Sequence, residues 1–447
     1  MTLLGVDVGT TGMKMGVFGE EHGDLTMLAG FSKTYPVHTY NDGLFSDIDP
    51  ALWRKAFADG CRHLKDWMAE VEVISFSGTT PGLTAMDHEG NALYPAILML
   101  DQRSRSQAEL VIQTVGQDTL MKVTGNMPVA GGCSLASILW IKENHPELFE
   151  KTRVFGHSNT YMARWLTGEF AIDPSSASLT ALYNTNENNL RWNEDIAGAF
   201  GFSLDKLPRV IPSHGSTGRV TRRIALELGL ARDPAVVIGG NDAVLAAYSV
   251  GVQQPGDVIN VNGTCEITLV CLPECLFSKN YNVRTHVIPG RWLTLYVMNA
   301  GGAALEWFRA LFCSEMTVDH FHRHFIPQAL DRWLERESGV TYVPYLSGSR
   351  YSLEPLKASF AGLTAETTRD ELLAALVRGL CHYQRAHLEE IGTRVPLARE
   401  IHVTGGAVSP ALMRAKKRWM RDCDYRHQEE SSMKGAALLG LKHLKEA

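Results

Sequence analysis

The sequence predicts an α/β protein of two domains, each a mixed sheet flanked by helices, with a cleft between them. Three observations carry this. In each half, strand patterns come first and then alternate with helical ones, the order expected when helices pack on mixed sheets. A strand, a Gly-Thr turn and a second strand occur at Leu3 to Phe18 around Gly9-Thr10-Thr11-Gly12, and again at Asp257 to Val270 around Gly263-Thr264. Such self-similarity points to a duplicated domain. At 447 residues the chain exceeds one ordinary core, so two units of roughly two hundred residues are expected. The predicted division is 1–242 and 243–447. No low-complexity linker separates the halves, which favours a hinged, closely packed pair.

Leu3–Val8 and Met13–Phe18 read as the first two strands, followed by Ala29–Lys33, Val73–Ser77 and Leu83–Asp87. Asp49-Pro50 opens an amphipathic helix with Leu52, Phe57, Cys61, Leu64 and Met68 on one stripe. Helical spacing recurs near Ser134–Glu143 and Ser158–Thr167. The strand Ala235–Ile238 ends at Gly239-Gly240, and Ala243–Val250 resumes as a helix. In the second half, strands near Val258 and Ile267 precede helices around Ala303–Phe312 and Glu371–Glu390, the strand Ile401–Thr404, and a last helix over Ser432–Lys445. At Gly405-Gly406 the chain turns from strand to a helix opening near Ser409, with Pro410 in its first turn.

The turns carry polar residues of a telling kind. Asp7 interrupts an apolar strand, and a buried carboxylate must be paired or bind a metal. Glycines let a backbone approach phosphate oxygens, turn amides and threonine hydroxyls donate to them, and a carboxylate can hold Mg²⁺. Taken alone, an ordinary hairpin is the plainer alternative. Val261 stands in the second copy where Asp7 stands in the first, so only the first copy offers a metal-directed carboxylate.

In this order the motifs resemble the FGGY family of carbohydrate kinases, within the superfamily of actin, hexokinase and the heat-shock chaperone ATPases. The resemblance runs over essentially the whole chain. Asp7, Gly9, Thr10 and Thr11 match the family's opening Asp-x-Gly-Thr-(Ser/Thr), Gly239-Gly240-Asn241-Asp242 its Gly-Gly-x-Asp, and Gly263-Thr264 its second phosphate turn. Pro344 to Arg350 match Pro-Tyr-Leu-Ser-Gly-x-Arg. Phe360-Ala361-Gly362-Leu363 and the helix from Arg369 fit the C-terminal pattern, with Arg378 where an acidic or amide residue is usual.

The resemblance implies two actin/ribonuclease-H-like domains, with ATP and Mg²⁺ as cofactors. It implies transfer of a phosphoryl group from ATP to a ketose, sugar acid or polyol. Such transfer needs neutralised triphosphate charge, an aligned alcohol and a group to accept its proton. Asp242 is the implied catalytic base, and capping the helix from Ala243 is compatible with that role. Asp7 and Asp242 are implied at the metal, Thr10, Thr11 and Lys14 at one phosphate group, and Gly263 and Thr264 at the other. Gly302 is implied at the nucleotide, with Glu306 in place of the family's amide, and Gly405, Gly406 and Ser409 beside the adenine.

On the acceptor side the chain departs from better-known relatives. Glycerol kinases carry Arg-Glu and xylulokinases Met-His where this chain has Thr80-Pro81. Threonine cannot reproduce a guanidinium fork, which argues against glycerol. Met99 replaces a family tryptophan and Ser137 a common lysine, which leaves the acceptor open. Thr79 and Thr80 are expected to contact it, together with Asp242. Asp101 and Arg103 either bind sugar hydroxyls or form a structural ion pair. A reading from another class is a nucleotide-dependent binding or regulatory protein derived from a sugar kinase. Asp242 beside intact phosphate turns argues for the enzyme.

Apolar content of 45% and charged content of 21% are those of a soluble globular chain. A formal charge of −6 argues against nucleic acid as a partner. The most apolar run, Ala235 to Val252, is broken by Gly239, Gly240, Asn241 and Asp242, so no membrane span is expected. The N-terminus enters a strand directly, with no leader pattern. Eight cysteines without paired spacing point to reduced thiols in a cytoplasmic enzyme, and Cys271 and Cys275 lack a second ligand pair for zinc. Lys416-Lys417-Arg418 reads as the solvated face of a helix, and His320, His322 and His324 as surface residues. A small-molecule sugar or polyol is the expected partner, and a homodimer is an open option.

Overall fold

A computed structural model of the chain describes residues 1–21, 24–349, 351, 356–428 and 432–446. Of the predicted motifs, Arg350 lies outside the described residues. Among them two six-stranded sheets dominate. The first contains β1 (Thr2–Val8), β2 (Gly12–Glu21), β3 (Asp24–Thr34), β4 (Val73–Gly78) and β5 (Ala235–Asn241) in the order β5-β4-β1-β2-β3, with 216–219 beyond β5. The second contains β6 (Val258–Asn262), β7 (Glu266–Leu272), β8 (Trp292–Met298), β9 (Glu400–Thr404) and β10 (Asp424–His427) in the order β10-β9-β6-β7-β8, with 282–285 beyond β8. In each, the first three strands are antiparallel and the last two run parallel to the first. The two halves therefore repeat one plan, as the duplicated turns imply.

Alternation along β1 and its neighbours gives the first sheet two apolar faces. Leu4, Val6, Val8, Ile74 and Phe76 pack against α1 (Ala51–His63) and α2 (Ser158–Thr167) through Trp53, Phe57, Tyr161 and Leu166. Leu3, Val73 and Val237 face α3 (Asp242–Ser249) and α7 (Ser432–Glu446), and that cluster continues to Ile259, Leu269 and Leu293 of the second sheet. The far face of the second sheet is covered by α4 (Gly302–Phe312), α5 (Arg369–Gly392) and α6 (Pro410–Trp419). The result is five layers, with α3 and α7 between the sheets. No helix among the described residues is long and apolar enough to cross a membrane.

Several expectations are corrected. β3 begins at Asp24, five residues before Ala29, because β2 runs on to Glu21 and pairs with it throughout. The stripe from Leu52 to Met68 does not sit on one helix: α1 stops at His63, and 65–68 forms a separate turn after Leu64 (φ −93°, ψ 18°). Lys416 is not on a solvated face; it is buried, with its ammonium against Glu266. His322 is half-buried and bonds Glu306, although His320 and His324 are exposed.

Between β4 and β5 the register shifts: Val237 lies opposite Ser75, but Gly240 lies opposite Ser77. Gly239 takes up the extra residue at φ 73°, and a Cβ there would lie 1.5 Å from the carbonyl oxygen of Phe76. A Gly239→Ala variant is therefore expected to lose on the order of 3 kcal/mol in urea unfolding. Gly229 has φ 74° with open space around it, so Gly229→Ala isolates the conformational cost alone, about 1 kcal/mol. Equal losses in the two variants would mean that close approach to Phe76 does not matter.

Candidate active site

The C-terminal ends of the parallel strands β1, β4 and β5 form one edge, and most predicted first-half site residues lie on it. Asp7 pairs in register with Ser77, and Ser77 with Gly240. Two strand spacings put Asp7 and Gly240 about 10 Å apart, and Asp242 follows two residues beyond Gly240. The turn after β1 is closed by Gly9 N–H donating to Gly12 O at 3.0 Å and braced by Tyr35, whose hydroxyl donates to Gly9 O at 2.6 Å. Thr11 and Lys14 are exposed. Thr10 Oγ1 lies 2.9 Å from Thr79 Oγ1, which ties this turn to the loop after β4. That loop carries Thr79, Thr80 and a cis Thr80-Pro81 bond. Thr80 Oγ1 accepts from Asn241 Nδ2.

Asp242 is the first residue of α3, and its Oδ1 accepts from Ala243 N–H at 2.7 Å. The cap itself is Asn241, whose side chain accepts from Val244 N–H. Predicted as both base and cap, Asp242 thus sits beside the cap rather than in it. An anionic side chain in the first turn suits the positive end of the helix.

Asp7 Oδ1 accepts from Ser77 Oγ at 2.7 Å. Burial raises its pKa above the ordinary carboxylate value, and hydrogen bonds from Ser77 and Ser432 and the charge of Lys14 only partly offset this. A desolvated carboxylate at a strand end is a group whose burial a cation would relieve. Mg²⁺ takes one or two carboxylates and fills its other positions with water and phosphate oxygens, so Asp7 and Asp242 fit it. Among the described residues no group of three or more His, Cys, Asp or Glu could hold a metal by itself.

In the second half, three turns meet. Gly302 N–H donates to Gly263 O and Gly301 N–H to Thr264 O, both at 2.9 Å. Gly405, at φ 101°, passes so close to Asn262 that a Cβ would lie 2.3 Å from its carbonyl oxygen. Gly406 is exposed, with nothing within 4 Å of where a Cβ would stand, and Ser409 caps α6 by accepting from Leu412 N–H. Glu306, which stands in place of the family's amide, pairs with Arg309 and His322.

Behind these turns lies a buried polar network that sequence reasoning missed. Lys416 Nζ donates to Glu266 Oε1 at 2.5 Å, Asn260 Nδ2 to the same oxygen at 2.9 Å, and Thr268 Oγ1 to Gln384 Oε1 at 2.7 Å. A lysine inside a basic run gave no signal, because its partner is 150 residues away.

Asp101 and Arg103 form the ion pair weighed as their alternative. Both side chains are wholly buried, with Nη2 of Arg103 2.7 Å from Asp101 Oδ2 and 2.8 Å from Asp47 Oδ2. Phe45 and Trp140 cover the guanidinium at 4.2 and 5.2 Å. Neither residue lines the cavity of about 770 Å³ between the halves. That cavity is bordered by Gln102, Asn126 and Cys133 on one side and Cys265, Arg284 and Asn299 on the other, next to the Gly263-Thr264 turn. The halves also touch directly, with Asn126 bonding both backbone groups of Val283 and Trp292 Nε1 donating to Thr185 O at 2.7 Å.

Comparison with known proteins finds a match for each half of the chain. The model of the N-terminal domain of the FGGY family of carbohydrate kinases matches residues 2–249, and that of its C-terminal domain residues 258–442. A xylulose kinase of Lactococcus lactis is 27% identical over 420 residues, 92% of this chain and 81% of that protein. A gluconokinase of Bacillus subtilis is 24% identical over 454 residues, 98% of this chain and 87% of that protein. Among solved structures, a xylulose kinase from Rhodospirillum rubrum shares the fold with a TM-score of 0.90 at 22% identity, covering 99% of this chain and 89% of that one.

Two outcomes follow. Removing one partner of the Lys416–Glu266 pair leaves a buried charge uncompensated, so Lys416→Met is expected to cost about 3–5 kcal/mol, and the double variant with Glu266→Leu to recover most of it. Urea unfolding checks this; a mild loss for the single variant would mean that water reaches the pair. Asp7 gives the opposite sign. Its folded pKa lies above the ordinary 3.8, so the folded state holds the proton to higher pH and loses stability as pH rises through that interval. Asp7→Asn is therefore expected to melt higher than wild type at neutral pH without added metal or nucleotide. A lower melting temperature would contradict the burial argument.

Proposed function

We propose that this chain, which belongs to the FGGY family of carbohydrate kinases, transfers the γ-phosphoryl group of ATP to a hydroxyl of a ketose, sugar acid or polyol, a xylulokinase-like reaction. The observation that carries the proposal is the shared sheet edge at which Asp7 and Asp242 stand, with the Thr79-Thr80 loop between them and the Thr10-Thr11 turn against that loop. Asp242 accepts the proton of the attacking hydroxyl. Thr10, Thr11 and Lys14 hold one phosphate group, and Gly263 and Thr264 hold the other with their turn amides. Gly302 contacts the nucleotide, and Gly405, Gly406 and Ser409 border the adenine. Asp7 and Asp242 would hold Mg²⁺, which would supply neutralisation of the phosphate charge.

Thr79 and Thr80 face the acceptor in this reading. Asp101 and Arg103 are left out of the contact set, because their polar atoms serve each other, Asp47 and the backbone of Ser46. Closing of the two halves over the bound substrates keeps water from the transfer, which protects the phosphoryl group from hydrolysis. The absence of a membrane-length helix among the described residues suits a cytoplasmic enzyme.

The test is release of ADP, coupled to product analysis, across pentuloses, hexuloses, polyols and aldonates. Release that requires one of these acceptors and yields one sugar phosphate per ADP is expected. Release at the same rate without any acceptor would favour a nucleotide-dependent regulatory protein. With the acceptor in hand, Asp242→Asn is expected to lower kcat by about 10²–10⁴ while calorimetry still detects nucleotide binding. Near-normal turnover would reduce Asp242 to a helix-terminus residue.

A further inference from the structure

We propose that Asn241 is a positioning residue that holds Asp242 and, through Thr80, sets which acceptor is used. The proposal rests on the reading of Asp242 as base and deepens it. Asn241 is 4% exposed, and a buried amide must satisfy its polar atoms within the protein. Its backbone N–H donates to Ser175 Oγ at 2.9 Å, its Oδ1 accepts from Val244 N–H at 3.3 Å, and its Nδ2 donates to Thr80 Oγ1. One residue thereby joins the helix that begins with Asp242, the loop that carries Thr80, and the segment at Ser175.

The orientation is fixed by chemistry. A backbone N–H can only donate, so the oxygen of the amide must face Val244 and its nitrogen must face Thr80. Thr80 Oγ1 is then the acceptor in that contact, and its own proton is left for another partner. The far side of Asn241 is equally constrained. Ser175 donates to Asp173, whose carboxylate also accepts from Ser176 N–H at 3.0 Å and Asn159 Nδ2 at 2.8 Å. Asp173 is fully buried, so this anchor has no slack toward solvent. On the near side Thr79 adjoins Thr10. The chain of contacts therefore runs from a buried carboxylate, through the residue before the base, to the loop that meets the first phosphate turn.

Displacing this amide moves two things together: the carboxylate that takes the proton and the loop beside the acceptor. Misplacement at a reacting centre is costly in rate even when binding elsewhere is intact. The chain of contacts reaches ATP only at its edge, where Thr79 adjoins Thr10, and the turns of the second half lie outside it, so the KM for ATP is expected to change far less than the constants for the acceptor.

The test compares Asn241→Ser, Thr80→Val and the double variant. Serine keeps a helix-capping oxygen but cannot reach Thr80; valine keeps the shape of threonine without the acceptor oxygen. With D-xylulose, D-gluconate and glycerol as probes, each single variant is expected to lower kcat/KM for the best of the three by roughly 10- to 100-fold. The KM for ATP is expected to stay within about twofold, and the ranking of the probes to change. The double variant is expected to be no worse than the poorer single one, because both remove the same contact. Additive losses, or a uniform fall in kcat with every KM and the ranking unchanged, would overturn the proposal, and so would a double-mutant cycle in urea unfolding without coupling. Failure of the base reading shows elsewhere, as turnover retained by Asp242→Asn.

Discussion

The detour of β5 around the carbonyl of Phe76 is the constraint on which the first-half site depends. Three residues of β5 span the distance that two residues of β4 span, and only a glycine at Gly239 can pass the Phe76 oxygen. The extra residue brings Asn241 level with Gly78 and carries Asp242 past the end of the sheet. There the chain must change from strand to helix, so the carboxylate stands at a helix start rather than inside a ladder. Bulges that re-aim a side chain beside a site are a recurring use of this irregularity.

Burial is used differently in the two halves. On the first sheet Asp7 is half-buried at the strand end, and desolvation disfavours its ionised form; that tension suits the cation-binding role proposed for it. On the second sheet Val261 takes the equivalent place, and the buried charge sits instead at Glu266, matched by Lys416. In the second arrangement the charge is compensated behind the three glycine turns, within the sheet and the helix that covers it. One duplicated plan thus handles its buried charge differently on the two sheets.

Much of this was legible in the sequence. Period-two apolar runs and glycine turns located the main strands, and Ser409-Pro410 announced its helix because capping and first-turn geometry are local. Asp7 and Asp242 stood out because a carboxylate in or after an apolar strand needs a reason. What stayed hidden depends on partners far apart in the chain. Asn241 and Thr80 are 161 residues apart, and Lys416 and Glu266 are 150 apart. Their spacing carries no periodicity that a local pattern could register. Asp101 and Arg103 were ambiguous for the same reason: the deciding partner, Asp47, is 56 residues from Arg103.

In the proposed reaction Asp242 meets the acceptor hydroxyl while Asp7 meets the phosphate side. A crystal structure with a non-hydrolysable ATP analogue, Mg²⁺ and the acceptor identified by ADP release tests it most directly. The account predicts the Asp242 carboxylate at about 2.6–3.2 Å from the hydroxyl that becomes phosphorylated, with Asp7 on the metal side of the γ-phosphate. A hydroxyl held by another carboxylate, with Asp242 turned away from the acceptor, would contradict it.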